Sequence, residues 1–383
     1  MRVVATFCLV LCWWALACSA RAEGIRVLLA QEAQRVTVTA DRGLVALTQA
    51  GQERSFAGPL VVTSAADGTG LMVNGEAWPD GSLLVRAQEG DLWLERPERI
   101  AVGGALQIAS RGRGLMAVNR VELEEYVKGV VPAEMNAGWH QEALKVQAVV
   151  ARTYALYQRR LNRDPAYDVV ATVQDQVYRG RAGLDQRVQQ AVEATRGLVL
   201  TFRNVPILAA FSSTAAGPTE DALTVWSKDL PYLKGVDCPF DQGSPYYQWR
   251  AEFTLQDLED KLRRQGLRVG AIASLTPYAF TPAGRVTKLR LLHSQGELLL
   301  RGEDLRRAVG YGVIPSTQFE VESIGRSVVL TGRGAGHAVG LCQWGAKEMA
   351  ELGYPFDTIL RYYFPGTDLK DLRTVDLAPP AAR

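Results

Sequence analysis

The run from Trp139 to Arg160 constrains this chain most: it holds no Gly or Pro, and good helix formers such as Ala143, Leu144, Lys145, Gln147, Ala148, Ala151 and Leu156 dominate it. It predicts one helix. Its middle, Val146, Ala148, Val149, Val150, Ala151, Tyr154 and Ala155, is apolar around most of its circumference, which a helix with one wet face would not tolerate. The helix is therefore expected at the centre of a domain, covered by other elements. Just before it, Gly129, Pro132, Asn136 and Gly138 predict a chain broken into turns, with Glu134 on a connection held against the helix start. Loops on rigid scaffolds commonly carry chemistry.

Glu134 stands among Val130, Val131, Pro132, Ala133 and Met135, with Trp139 one turn further on. Burial in such company disfavours the charged carboxylate and raises its pKa, the condition for a general acid near neutrality. The plain alternative is a solvated turn glutamate, and local chemistry alone leaves both open.

The surrounding pattern carries a resemblance. The run through Glu125, Tyr126, Gly129, Val130, Val131, Glu134, Met135, Trp139, Glu142, Ala143, Leu144, Lys145, Gln147, Ala148, Ala151, Arg152, Thr153, Tyr154 and Ala155 resembles the signature of the stage II sporulation protein D and amidase-enhancer family. Gln176, Tyr178 and Gly180 continue it. So do the stretches from Ser212 to Ala222, Trp226, Pro231 to Asp237, and Gly332 to Tyr354. The likeness covers most of the chain after about residue 110.

That resemblance implies a peptidoglycan lytic transglycosylase that cuts between N-acetylmuramic acid and N-acetylglucosamine, in glycan strands stripped of stem peptides. Glu134 would be its one catalytic carboxylate. Substrate contacts are implied at Trp139, Arg152, Tyr154, Gln176 and Tyr178, at Ser212, Ser213, Thr214 and Thr219, and at His337 and Gln343. The implied partners are glycan strands and, for an enhancer, a cell-wall amidase. Two alternatives stay open: a noncatalytic amidase enhancer, and a cell-wall glycoside hydrolase, which needs a second carboxylate at about 5 to 10 Å. Asp237, Asp241 and Glu220 are the candidates for that second group.

Composition fits a globular protein of two or three domains, with 383 residues, 47% hydrophobic and 22% charged. Met1 and Arg2 precede an apolar run, Val3 to Ala17, and small residues ending Ala20-Arg21-Ala22, which read as a signal peptide over residues 1–22 and an exported product. A lipid-attachment reading of Cys18 fits less well, because Ala15 and Leu16 suit its outer positions poorly. Lys and Arg total 43 against 41 Asp and Glu, so loss of Arg2 and Arg21 leaves the rest balanced. No basic block or stripe points to nucleic acid. A polar, largely uncharged glycan suits this balance.

The organisation expected is α+β. Residues 23–118 alternate short apolar stretches with turn signals and predict a β-rich leader domain. Residues 119–247 form the first part of a mixed core around the buried helix. Residues 248–325 change character and predict an inserted α/β subdomain, and residues 326–372 return to the core before a tail at 373–383.

Other motifs are weighed against chemistry and set aside. Ser212 to Gly217 lacks the G-x-S-x-G elbow of a nucleophilic serine, so its hydroxyls and amides are expected to bind sugar or brace the site. The family commonly has two glycines where this chain has Ala216 and Gly217, and usually a glycine where Ala338 stands. Gly332 to Gly340 lacks the Lys and Ser/Thr of a phosphate loop, which argues against nucleotide. His337 reads first as a buried structural histidine. No cofactor is expected, and no metal: the family's zinc-binding members carry His and Cys in the segment matched here by Asp168 to Tyr178, where this chain has Val169, Val170, Gln174 and Asp175. Cys238, Cys342 and His337 sit at separate positions without ligand spacing. Whether Cys238 and Cys342 pair is left open.

Overall fold

The computed structural model describes residues 24–379, apart from 66, 67, 69, 96–98, 163 and 165. The expected leader, with Cys18 and the cut near Ala22, lies outside the described residues. The architecture is α+β.

An eleven-stranded sheet occupies the N-terminal part. Its long strands show the period of two that builds them: along Ser82–Glu95, Leu83, Val85, Leu92 and Leu94 are buried while Arg86 and Glu95 face water. The strand Gly114–Glu122 runs antiparallel to Gly24–Ala33 and passes directly into the first helix. Val27 and Leu28 pair in parallel with Val169 and Val170 from beyond that helix, so core residues extend the leader sheet. One apolar core accordingly runs from Ile25 and Val85 through to Val149 and Leu360.

The helices are α1 (Leu123–Glu134), α2 (Gln141–Leu161), α3 (Gln186–Ala194), α4 (Ala222–Trp226), α5 (Leu255–Arg264), α6 (Gly302–Val309), α7 (Gln343–Glu351) and α8 (Phe356–Tyr363). The central helix is found as expected. In α2, every residue from Val146 to Thr153 is buried, and α1, α3, α7 and α8 surround it.

The segment before α2 differs from the turn-rich expectation. Gly129 and Pro132 both lie inside α1, and Glu134 is its last residue. Gly129 is there for closeness rather than for a turn, since a Cβ at that position would come within 2.4 Å of the Gly180 carbonyl oxygen and 2.5 Å of the Tyr178 ring. Pro132 lacks the N–H that would bond the Lys128 carbonyl, so the last turn of α1 runs one backbone bond short. The helix stops when Met135 turns extended, and Asn136 then takes the Gly138 N–H at 2.8 Å to shape the connection.

A second apolar core lies under the inserted unit, around Leu258, Leu289, Leu305 and Leu330. Its strands Trp249–Thr254 and Gln318–Ile324 both pair with Ser327–Arg333. The strand Ile272–Phe280 and helices α4 and α8 were not anticipated. No described helix is long and apolar enough to cross a membrane.

Candidate active site

Glu134 ends α1 half-buried, with its side chain toward the segment that follows Asp175. Its Oε1 accepts the Val177 N–H at 2.7 Å. The Val177 N–H is therefore used on the carboxyl group, and Gln176 to Tyr178 belongs to no strand. Desolvation by the surrounding apolar groups pushes the Glu134 pKa up to about 7, and the Val177 N–H opposes this by favouring the charged form.

Residues on either side of Val177 hold it in place. Gln176 is fully buried and accepts the Tyr126 hydroxyl at 3.0 Å, while Tyr178 stacks on Tyr126 at 5.2 Å and donates its own hydroxyl to Asn119 at 2.9 Å. Asp175 collects three donors: Tyr154 hydroxyl at 2.8 Å, Gln158 Nε2 at 2.7 Å and the Val170 N–H at 2.8 Å. Tyr154 thereby fastens this segment to α2.

Gln343, the first residue of α7, reaches across from the C-terminal part. Its Nε2 donates to the Glu134 carbonyl oxygen at 3.2 Å and to Gln147 Oε1 at 3.3 Å, tying α7 to both α1 and α2. Next to it, Trp344 donates its backbone N–H to the Ser213 carbonyl at 3.1 Å, and its ring meets Trp139 edge to face at 5.1 Å. Glu134, Trp139, Val177, Ser213 and Trp344 are all half-buried and so remain open to a ligand.

Four expected contacts lie in the bracing of the loops. Ser212 Oγ accepts the Ala338 N–H at 3.1 Å, Thr214 bonds Ser244 at 2.6 Å, and Thr219 exchanges bonds with the Val236 backbone. His337 packs on Trp226 at 4.8 Å and takes the Val339 N–H at 3.0 Å; burial, with the charges of Arg285 and Arg306, pushes its pKa down to about 3. Its ring is therefore neutral at ordinary pH. Arg152 is fully buried: its guanidinium spans Glu124 at 2.6 and 2.9 Å and the Leu198 carbonyl at 3.0 Å, so its role in this structure is to join α1 to α2 rather than to meet a glycan.

The family model described as stage II sporulation protein matches residues 111–202, which contain α1, α2 and Val177. Stage II sporulation protein D of Bacillus subtilis is 34% identical over 270 residues, 67% of this chain and 76% of that protein. The chain belongs to the stage II sporulation protein D family. An uncharacterized protein of Brachyspira hyodysenteriae is 32% identical over 275 residues, 71% of this chain and 73% of that protein. An amidase enhancer of Bacillus subtilis is 30% identical over 291 residues, 63% of this chain but 40% of the enhancer's length. Residues 227–340, which include the inserted unit, match a domain of unknown function.

Two departures from the stage II sporulation protein D pattern have a physical consequence. Ala216 and Ala338 stand where glycine is common, and both adopt left-handed backbone, φ 55° and 57°. Each carries the cost of its Cβ in that region. The residues that sequence reading missed at the site are Val177, Asp175 and Trp344. Val177 acts through its backbone, which leaves no residue-type signal, whereas Trp344 was legible as an aromatic neighbour of Gln343.

Proposed function

We propose that this chain is an exported peptidoglycan lytic transglycosylase in which Glu134 is acid and then base. The reading rests on one observation above all, a half-buried carboxyl at the end of α1 whose surroundings keep it protonated up to about pH 7. Glu134 gives its proton to the glycosidic oxygen between N-acetylmuramic acid and N-acetylglucosamine. The carboxylate left behind is supported by the Val177 N–H, and it then takes a proton from the muramoyl C6 hydroxyl as that oxygen closes a 1,6-anhydro ring. An intramolecular hydroxyl replaces water, so a second carboxylate is unnecessary.

The fate of the other carboxylates favours this over a hydrolase. Of the three candidates for a second carboxylate, Glu220 is buried against Thr281 at 2.6 Å and Asp241 is buried with the Ala216 N–H at 2.7 Å, which keeps both from water, and Asp237 alone of the three is exposed. Trp139, five residues after Glu134, and Trp344, next to the Gln343 that reaches the Glu134 carbonyl, are half-buried aromatic rings of the kind that pack on sugars. Digestion of denuded and of peptide-bearing glycan strands, with the products weighed, tests the proposal. Anhydro ends are expected, lighter by one water, roughly 18 mass units, than the ends left by a two-carboxylate hydrolase. The named likeness to an amidase enhancer supports a second reading, a noncatalytic glycan binder that stimulates an amidase. Glycan binding without any cleavage would favour it.

A further inference from the structure

The fold brings together three donors from two distant parts of the chain. Cys238 and Asp241 come from the loop before the inserted unit, and Cys342 caps the start of α7. All three are buried, at 3%, 0% and 1% exposure, and their ligand atoms lie within 4.8 Å of one another. Sequence reading paired Cys238 and Cys342 with His337 and found no ligand spacing; the third member is Asp241.

Several features of this cluster suit a cation. Asp241 Oδ1 is buried with no hydrogen-bond partner, while Oδ2 takes the Ala216 N–H at 2.7 Å and lies 3.2 Å from Cys342 Sγ. Cys342 Sγ receives two backbone N–H groups, from Ala215 and Gly345, each at 3.4 Å, the kind of support that a metal-bound thiolate uses. Tyr363 supplies a further oxygen, 3.3 Å from Cys238 Sγ. Gly345 keeps the space open, because a Cβ there would come within 2.8 Å of Cys238 Sγ and 2.1 Å of the Tyr363 hydroxyl.

We propose that Cys238, Asp241 and Cys342 bind a structural zinc ion, with the Tyr363 oxygen facing the fourth position. Two thiolates with a carboxylate form a donor set that zinc accepts in tetrahedral geometry. Binding exchanges two thiol protons for one divalent ion, so the buried charge of the cluster is unchanged and Asp241 gains a partner for its idle oxygen. A disulfide would do the reverse. It would remove the Cys342 S–H that lies on Asp241 and leave that carboxylate with the Ala216 N–H alone. The ion would fix the start of α7 one residue before Gln343, whose amide reaches Glu134.

The test is metal analysis of the full chain purified without chelator. About one zinc per chain is expected after dialysis, falling well below that in Cys342→Ser and in Cys238→Ser. Because those variants could fail to fold, the unaltered chain is also unfolded in chelator and refolded with cobalt; intense thiolate-to-cobalt absorption is expected. The proposal is overturned by a zinc-free protein whose two thiols are both alkylated on unfolding. It is equally overturned by a chain two hydrogens lighter that resists alkylation, by zinc unchanged in folded Cys342→Ser, or by cobalt that gives no thiolate band.

Discussion

The Val177 amide points at the Glu134 carboxyl from 2.7 Å, and the two effects acting on that carboxyl have opposite signs. Burial favours the neutral acid and the amide favours the anion, with a pKa of about 7 as the result. An enzyme that starts with a protonated Glu134 should therefore lose rate as pH rises through about 7, with a plateau on the acid side of that value. The profile of glycan cleavage against pH checks it. An ordinary glutamate would place the fall near 4.5 and would remove the acid role at neutral pH.

Replacing Glu134 by Gln keeps the shape and an acceptor for Val177 while removing the proton. Cleavage should fall by about a hundredfold to ten-thousandfold, while capture of denuded glycan persists. Stability gives an independent readout. Because the folded pKa is raised, the folded protein holds a proton that the unfolded chain has lost between pH 4.5 and about 7, and stability declines with rising pH across that window. The Gln variant lacks this decline, so its melting temperature relative to the parent should rise from pH 5 to pH 8. A variant that cleaves at the parental rate would reassign Glu134 to packing.

What could be read from the residues alone was governed by how local the cause was. The central helix followed from its unbroken apolar run, and the strands of the leader from their alternation. Gly129 and Pro132 misled because their local meaning is a turn, while their cause is tertiary: Gly129 admits the Gly180 carbonyl and the Tyr178 ring against α1. Arg152 looked like a ligand for substrate, yet its partner Glu124 lies 28 residues earlier, a pairing that no spacing rule reveals. The thiol cluster was hidden for the same reason, since Asp241 and Cys342 meet only when the inserted unit folds out between them.

Asp175 is the knot through which α2 holds the Val177 segment, and Asp175→Ala would release the Tyr154 hydroxyl, Gln158 and the Val170 N–H together. We expect cleavage to drop by roughly tenfold, about 1.4 kcal/mol of barrier. The midpoint of the pH profile should also move upward, because a looser Val177 N–H no longer offsets desolvation of Glu134. A loss of rate with an unmoved midpoint would mean that Asp175 acts on folding alone.

Trp344 meets Trp139 edge to face at 5.1 Å, and Lys347 lies over its ring at 5.4 Å. Trp344→Ala should weaken retention on denuded glycan by about tenfold, or roughly 1.4 kcal/mol. The pKa of Glu134 should be little affected, so the pH midpoint stays near that of the parent. Sedimentation of the folded variant with glycan strands, alongside its pH profile, separates binding from acid strength.

Arg152 distinguishes packing from recognition most sharply. Its guanidinium has no solvent exposure and is bonded to Glu124 Oε1 and Oε2, the former of which also takes the Gly197 N–H at 3.1 Å. Arg152→Ala would leave Glu124 buried and unpaired between α1 and α2, a loss of about 3 to 5 kcal/mol by the usual cost of breaking such a pair. Arg152→Lys should recover only part of it, because an ammonium cannot span both carboxylate oxygens and the Leu198 carbonyl in the guanidinium's planar fork. Replacing both partners, Arg152→Met with Glu124→Gln, should restore more stability than Arg152→Ala alone retains, since the stranded charge is gone. Denaturant midpoints measure these differences. If instead the midpoint of Arg152→Ala matched the parent and only glycan affinity fell, Arg152 would be a substrate contact, as the family resemblance first implied.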